Sequence, residues 1–175
     1  MSRVSYPIVA FVGRSNVGKS SLLNRLVGQR KLARVSKRPG RTQEINFFLI
    51  DERIAFADLP GYGFARVPRG VQDHWQELVE AFLESRVDLR LVVVLIDVRR
   101  GMQPADRQLI DYLRKLGRRV LLVATKSDKL TRSERNKVAE ELARERFAEK
   151  PLICSASSGE GIDDLWGRIQ AACPL

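Results

Sequence analysis

The sequence predicts a three-layer α/β sandwich: a mostly parallel six-stranded sheet with one antiparallel strand and helices on both faces. Three observations predict it. Short apolar runs alternate along the chain with amphipathic stretches, the β/α order of a parallel sheet built from crossover helices. One pair of runs, Ile45 to Ile50 and Ile54 to Asp58, is joined by Asp51-Glu52-Arg53 alone, a connection that permits only an antiparallel hairpin. No repeat, low-complexity tract or linker interrupts the 175 residues, so residues 1–175 are expected to form one domain.

The first strand is expected at Ile8 to Val12, followed by a helix from Gly18 to Leu26 with Leu22, Leu23 and Leu26 at three-to-four spacing. Val27 to Gln43 lacks periodicity and is rich in Gly, Pro, Lys and Arg, so it is expected to be a mobile loop. The hairpin comes next, then a second such loop from Leu59 to Gly70. Helices at Val71 to Ser85, Pro104 to Leu116, Ser133 to Phe147 and Ile162 to Ala172 alternate with strands at Leu91 to Asp97, Val120 to Thr125 and Pro151 to Cys154. In open sheets of this kind ligands bind beyond the carboxyl ends of the strands.

A formal charge of +10 and a pI near 10.2 imply a polyanionic partner such as RNA, DNA or an anionic membrane surface, or else an Arg-rich face that is merely solvated. The two cysteines, Cys154 and Cys173, have no paired spacing that would suggest a disulfide framework or a zinc site. No apolar run approaches the roughly 20 residues that span a bilayer, and Ile8 to Val12 is too short for a signal peptide. A cytoplasmic protein without a membrane partner is the expectation.

Gly13-Arg14-Ser15-Asn16-Val17-Gly18-Lys19-Ser20 carries two glycines and Lys-Ser at the spacing of a phosphate-binding loop, and it joins the first strand to the first helix. Glycines let the backbone turn so that successive amides and a helix N-terminus face phosphate oxygens. Lys19 supplies a cation to the β and γ phosphates, and the Ser20 hydroxyl is a ligand for Mg²⁺. Asp58-Leu59-Pro60-Gly61 follows a strand, which places the Asp58 carboxylate where it reaches Mg²⁺ through water and Gly61 where its amide senses the γ-phosphate. Thr42, in the Pro39-Gly40-Arg41-Thr42 stretch, is a switch residue whose hydroxyl joins Mg²⁺ when the γ-phosphate orders the loop. Lys19 and Thr42 are thus the candidate catalytic residues.

Thr125-Lys126-Ser127-Asp128 ends a strand and is similar to the Asn-Lys-x-Asp motif that reads guanine. A carboxylate at Asp128 accepts from the ring N–H and the exocyclic amine of guanine, whereas adenine presents the opposite pattern. Two charge-assisted bonds give discrimination of roughly 10² to 10⁴. Thr125 departs from the motif's Asn, so any bridge from that position to the phosphate loop must be remade. Ser155-Ala156-Ser157 after the last strand matches the fifth motif, where a backbone amide meets the guanine oxygen. GTP or GDP is therefore the expected ligand.

In this order the five motifs resemble the P-loop NTPases of small-GTPase type, in the TrmE-Era-EngA-EngB-like group. Gly13 to Lys19 with Ser20-Ser21, and Asp58-Leu59-Pro60-Gly61-Tyr62-Gly63, narrow the resemblance to the EngB (YihA/YsxC) family of ribosome-biogenesis GTP-binding proteins. Pro39-Gly40-Arg41-Thr42-Gln43, the Leu91 to Arg99 strand and turn, and Gly161 to Trp166 also look like that family. The resemblance implies a nucleotide-dependent switch in large ribosomal subunit assembly, with rRNA and ribosomal proteins of the subunit or its precursor as partners. The alternative is a GTPase domain serving tRNA modification or membrane transport. Arg41 stands where Lys is common in the family.

Tyr62 follows the Asp-x-x-Gly motif where GTPases such as Ras carry a water-orienting Gln, so hydrolysis is expected to be slow, on the order of 10⁻⁴ to 10⁻² s⁻¹. Arg41 is read either as an internal arginine finger or, in preference, as a contact to RNA phosphate. Asn16 resembles the P-loop Asn that binds K⁺ in tRNA-modification GTPases, and it equally suits backbone capping of the loop. His74, the single histidine, has no nucleophile or metal set beside it. Phe47, Phe48 and Trp166 are expected in the core.

Overall fold

The structure, a computed structural model, describes residues 5–28, 32–36, 45–62 and 69–174. Its elements are β1 (Ile8–Gly13), α1 (Lys19–Val27), β2 (Leu32–Ser36), β3 (Asn46–Ile50), β4 (Ile54–Asp58), α2 (Arg69–Ser85), β5 (Leu89–Asp97), α3 (Pro104–Lys115), β6 (Val120–Thr125), α4 (Arg132–Arg144), β7 (Leu152–Ile153) and α5 (Ile162–Ala172), with a 3₁₀ turn at Ser127–Lys129. The strands form one sheet in the order β2-β3-β4-β1-β5-β6-β7. β3 runs antiparallel to both of its neighbours, and all other pairings are parallel. The expected architecture is present, with one strand opposing the rest.

A seventh strand is added to the six expected. β2 lies inside the Val27 to Gln43 segment expected to be a loop, and among the described residues it pairs with β3 alone. An edge strand with one neighbour needs no unbroken apolar pattern, and Leu-Ala-Arg-Val-Ser offers none. α2 begins at Arg69, two residues before the expected Val71. α4 stops at Arg144 short of Phe147, because Glu145 turns to extended backbone and pairs with Arg107 of α3 at 2.6 Å. The hairpin turn carries positive φ at Asp51 (50°) and Glu52 (54°), and the Arg53 amide returns to the Ile50 carbonyl at 3.0 Å. Positive φ at both central positions matches the right-handed twist of the flanking strands.

β1 shows why the central strands read as continuous apolar runs. Val9 and Phe11 pack with Leu22, Leu26 and Ile169 of α1 and α5, while Ile8, Ala10 and Val12 pack with Leu83, Ile110 and Leu113 of α2 and α3. A strand covered on both faces has no polar side to alternate. Phe56 lies 4.8 Å from Phe11 and stacks on Trp166 at 5.5 Å, so Trp166 is a core residue. Phe47 packs on Phe82 at 5.9 Å, Phe48 is half-buried against the core, and His74 is exposed. Cys154 and Cys173 are free and buried, and burial pushes the Cys154 thiol up to about 12. The parallel strands bring their carboxyl ends, Gly13, Asp58, Asp97 and Thr125, to one edge.

Candidate functional site

Beyond β1 the chain folds back through Arg14 to Gly18. A Cβ on Gly13 would lie 2.9 Å from Val17 Cγ1 and 3.0 Å from the Leu95 carbonyl oxygen, so the loop closes only over glycine. Asn16 (φ 63°) and Gly18 (φ 90°) take the left-handed conformation that turns backbone amides inward. α1 then starts with no capping side chain and no acidic residue in its first turn. By contrast α4 starts with a reciprocal capping box of Thr131 and Glu134, and at the start of α3 the Asp106 carboxylate accepts from the Gln103 amide at 2.8 Å. A helix start that no side chain caps among the described residues, at the positive end of its dipole, suits an anion.

Lys19 directs its ammonium to the Asp58 carboxylate and the Leu59 carbonyl. Both charged groups are mostly buried, with side-chain exposures of 14% and 20%. Ser20 and Ser21 are exposed on the first turn of α1. The segment after β4 lies along the loop: Leu59 N donates to Phe11 O at 3.0 Å, Tyr62 N to Gly13 O at 3.2 Å, and Ser15 N to Tyr62 O at 3.1 Å. Pro60 and Gly61 are thereby held beside Gly13 to Ser15. The Tyr62 hydroxyl points away to the buried Asp106 carboxylate on α3. Burial first, and that hydrogen bond second, raise the Tyr62 pKa far above its ordinary value, so the phenol keeps its proton. Gly40, Arg41 and Thr42 lie outside the described residues.

The phosphate loop is tied to β5 and β6. Thr125, 4% exposed, directs its hydroxyl to Val17 O at 2.5 Å and Ile96 O at 3.1 Å. The bridge that the motif's Asn would supply is thus made by a shorter side chain. Lys126 (φ 65°) donates to Asn16 O at 2.7 Å and pairs with Asp97 at 3.2 Å. Burial pushes the Asp97 pKa upward, yet the Arg99 guanidinium and amide, together with Lys126, outweigh it and hold the carboxyl well below the usual range. Asp97 lies in the family-like Leu91 to Arg99 stretch, but the sequence assigned it no role at the site. Its signal was a carboxylate ending the apolar run Leu91 to Ile96.

Asp128 sits in the 3₁₀ turn after β6. The Ser155 hydroxyl, fully buried, donates to Asp128 Oδ1 at 2.7 Å, and this bond above all lowers the Asp128 pKa. The carboxylate is therefore ionised and an acceptor at neutral pH. Gly18, Ser21, Lys126, Asp128, Ala156 and Ser157 line a cleft of about 230 Å³. The phosphate loop and the Thr125-to-Asp128 and Ser155-to-Ser157 segments, which lie far apart in sequence, meet there. Ser127 faces the other way, with its hydroxyl on Glu160. Glu160 had no sequence signal of its own.

Sheet order, uncapped loop and paired cleft define a P-loop GTP-binding protein of small-GTPase type. The sequence profile described as 50S ribosome-binding GTPase matches residues 8–126. A probable GTP-binding protein EngB of Syntrophus aciditrophicus is 49% identical over 172 residues, covering 96% of this chain and 86% of that protein. Its counterpart in Solibacter usitatus is 47% identical, covering 93% and 84%. A crystal structure of a probable GTP-binding protein EngB superposes with a TM-score of 0.75 at 29% identity, covering 95% of this chain and 98% of that one. Aquifex aeolicus Era bound to GDP·AlF₄⁻ gives 0.74 at 25% identity, covering 98% and 58%. The chain belongs to the EngB family of GTP-binding proteins, a family of GTPases. Among the described residues no helix is long and apolar enough to cross a membrane.

Proposed function

We propose that residues 1–175 work as one cytoplasmic GTP-binding domain that hydrolyses GTP slowly and acts as a nucleotide-dependent switch in large ribosomal subunit assembly. The observation that carries the nucleotide part is the uncapped start of α1, with Lys19 on one side and the Asp128 cleft on the other. Amides of Gly13 to Gly18 and the Lys19 ammonium bind the β and γ phosphates, and the Gly61 amide meets the γ-phosphate. Asp128 accepts from guanine, and the backbone of Ser155-Ala156-Ser157 faces the guanine oxygen.

The donor set fits Mg²⁺. Asp58 and the Ser20 hydroxyl are hard oxygen donors, and Asp58 already accepts a cation, the Lys19 ammonium. Among the described residues no three His, Cys, Asp or Glu side chains gather to hold a metal, so retention depends on nucleotide phosphate oxygens, as is usual for this ion. Ser20 directly, Asp58 through water, and Thr42 in the triphosphate state would hold it. When bound, Mg²⁺ neutralises charge on the β and γ phosphates. Tyr62, its hydroxyl engaged by Asp106, offers no substitute for a water-orienting Gln, which supports slow turnover.

The partner is the large ribosomal subunit or its precursor. Support comes from the family description, the net charge of +10 and the basic run Arg30, Lys31, Arg34, Lys37, Arg38 and Arg41 beside Thr42. The test is sedimentation binding to purified subunits with GTP, GDP or a non-hydrolysable GTP analogue. GTP-form binding should fall on the order of 10² in affinity between 50 and 200 mM salt if about four phosphates are neutralised. Indifference to both nucleotide and salt would remove the switch reading.

A further inference from the structure

A carboxylate that must accept two N–H groups from one base edge needs a fixed orientation, because hydrogen bonds weaken steeply off line. Asp128 is exposed and sits on a single 3₁₀ turn, which by itself fixes little. Two ties join its turn to the loop after β7. One is direct, from the Ser155 hydroxyl to Asp128 at 2.7 Å. The other runs through Glu160, whose carboxylate accepts from the buried Ser127 hydroxyl, one residue before Asp128. The Glu160 backbone carbonyl meanwhile accepts from the Ser155 amide at 3.0 Å. Glu160 therefore holds both ends of the Asp128–Ser155 contact. Arg135 of α4 reaches both Glu160 oxygens through Nη1, at 3.0 and 2.9 Å, which fixes the carboxylate and balances its charge near Asp128.

We propose that Glu160, braced by Arg135, is a positioning residue for guanine recognition: it sets the aim of Asp128 without touching the nucleotide. Resting on the assignment of guanine reading to Asp128, this adds a determinant outside the Thr125-to-Asp128 and Ser155-to-Ser157 motifs. Accepting both N–H groups at once requires the fixed aim, and inosine diphosphate keeps the ring N–H but lacks the exocyclic amine, so the preference for GDP over it reads the two-bond geometry and distinguishes aim from general damage.

The experiment is displacement of fluorescent GDP by GDP and by inosine diphosphate, in Mg²⁺ buffer, for the wild type, Glu160→Ala and Glu160→Gln. The wild type should prefer GDP by roughly 10- to 100-fold, the worth of one charge-assisted bond. Glu160→Ala should shrink that preference by about threefold or more, since the bond is misaligned rather than removed. Glu160→Gln, which retains an oxygen acceptor for Ser127, should restore most of it. An unchanged preference in Glu160→Ala, or equal weakening of both nucleotides, overturns the proposal. A wild type without preference overturns the guanine assignment and this inference together. Where Glu160→Ala does not fold, Arg135→Ala gives the same comparison: a reduced preference supports the brace and a wild-type one overturns it.

Discussion

Thr125→Val removes one proton donor from the centre of the site and leaves nearly the same shape. Thr125 is 4% exposed, and its hydroxyl has a single proton for two backbone acceptors, Val17 O at 2.5 Å and Ile96 O at 3.1 Å. The shorter contact carries it. In the variant the Val17 carbonyl is left buried opposite a methyl group, a loss of about 1–3 kcal/mol. For a chain of this size about 2–4 °C of melting temperature accompanies each kcal/mol, so the expected fall is roughly 2 to 12 °C. Val17 belongs to the phosphate loop, and GDP affinity should fall along with stability. Urea unfolding without nucleotide measures the first effect and displacement of fluorescent GDP the second, with Thr125→Ser, which keeps the hydroxyl, as the control. A folded Thr125→Val protein within about 0.5 kcal/mol of wild type, the scatter of an ordinary surface change, refutes the role of this bridge.

Lys19→Ala and Ser20→Ala should each weaken GTP binding by at least about tenfold in Mg²⁺ buffer, the worth of one charge-assisted contact; circular dichroism should show an intact fold, and wild-type affinity in either would unseat the phosphate-site assignment. Asp128→Asn should move preference from guanine toward xanthine nucleotides, read by competition with xanthosine diphosphate. Asp97 has a depressed folded pKa, so its contribution to stability is complete above the ordinary aspartate value near 3.9 and drains away as pH falls below it. The stability gap between wild type and Asp97→Asn should therefore stay level from about pH 6 to 4 and narrow from about pH 4 to 2, and a gap that does not narrow in urea titrations over that lower range would exclude the Arg99 and Lys126 contacts as its source.

The sequence by itself determined the sheet class, the opposing strand, the order of nucleotide motifs and the GTPase family. Those features are local: strand runs such as Val120 to Thr125 carry their burial in composition, and a phosphate loop is written in consecutive residues because consecutive amides do the binding. Tertiary structure alone decided the rest. β2 was illegible because an edge strand can be as polar as a loop. That Thr125 does the work of an Asn follows from a contact across 108 residues, and that Tyr62 turns to Asp106 follows from one across 44. Glu160 reads as an ordinary loop glutamate until β6 and β7 pair in register, Val123 with Leu152 and Ala124 with Ile153, and bring its carboxylate under Ser127. Recognition of a base needs rigid aim, and aim comes from side chains that meet only after the strands have set the distances between their loops.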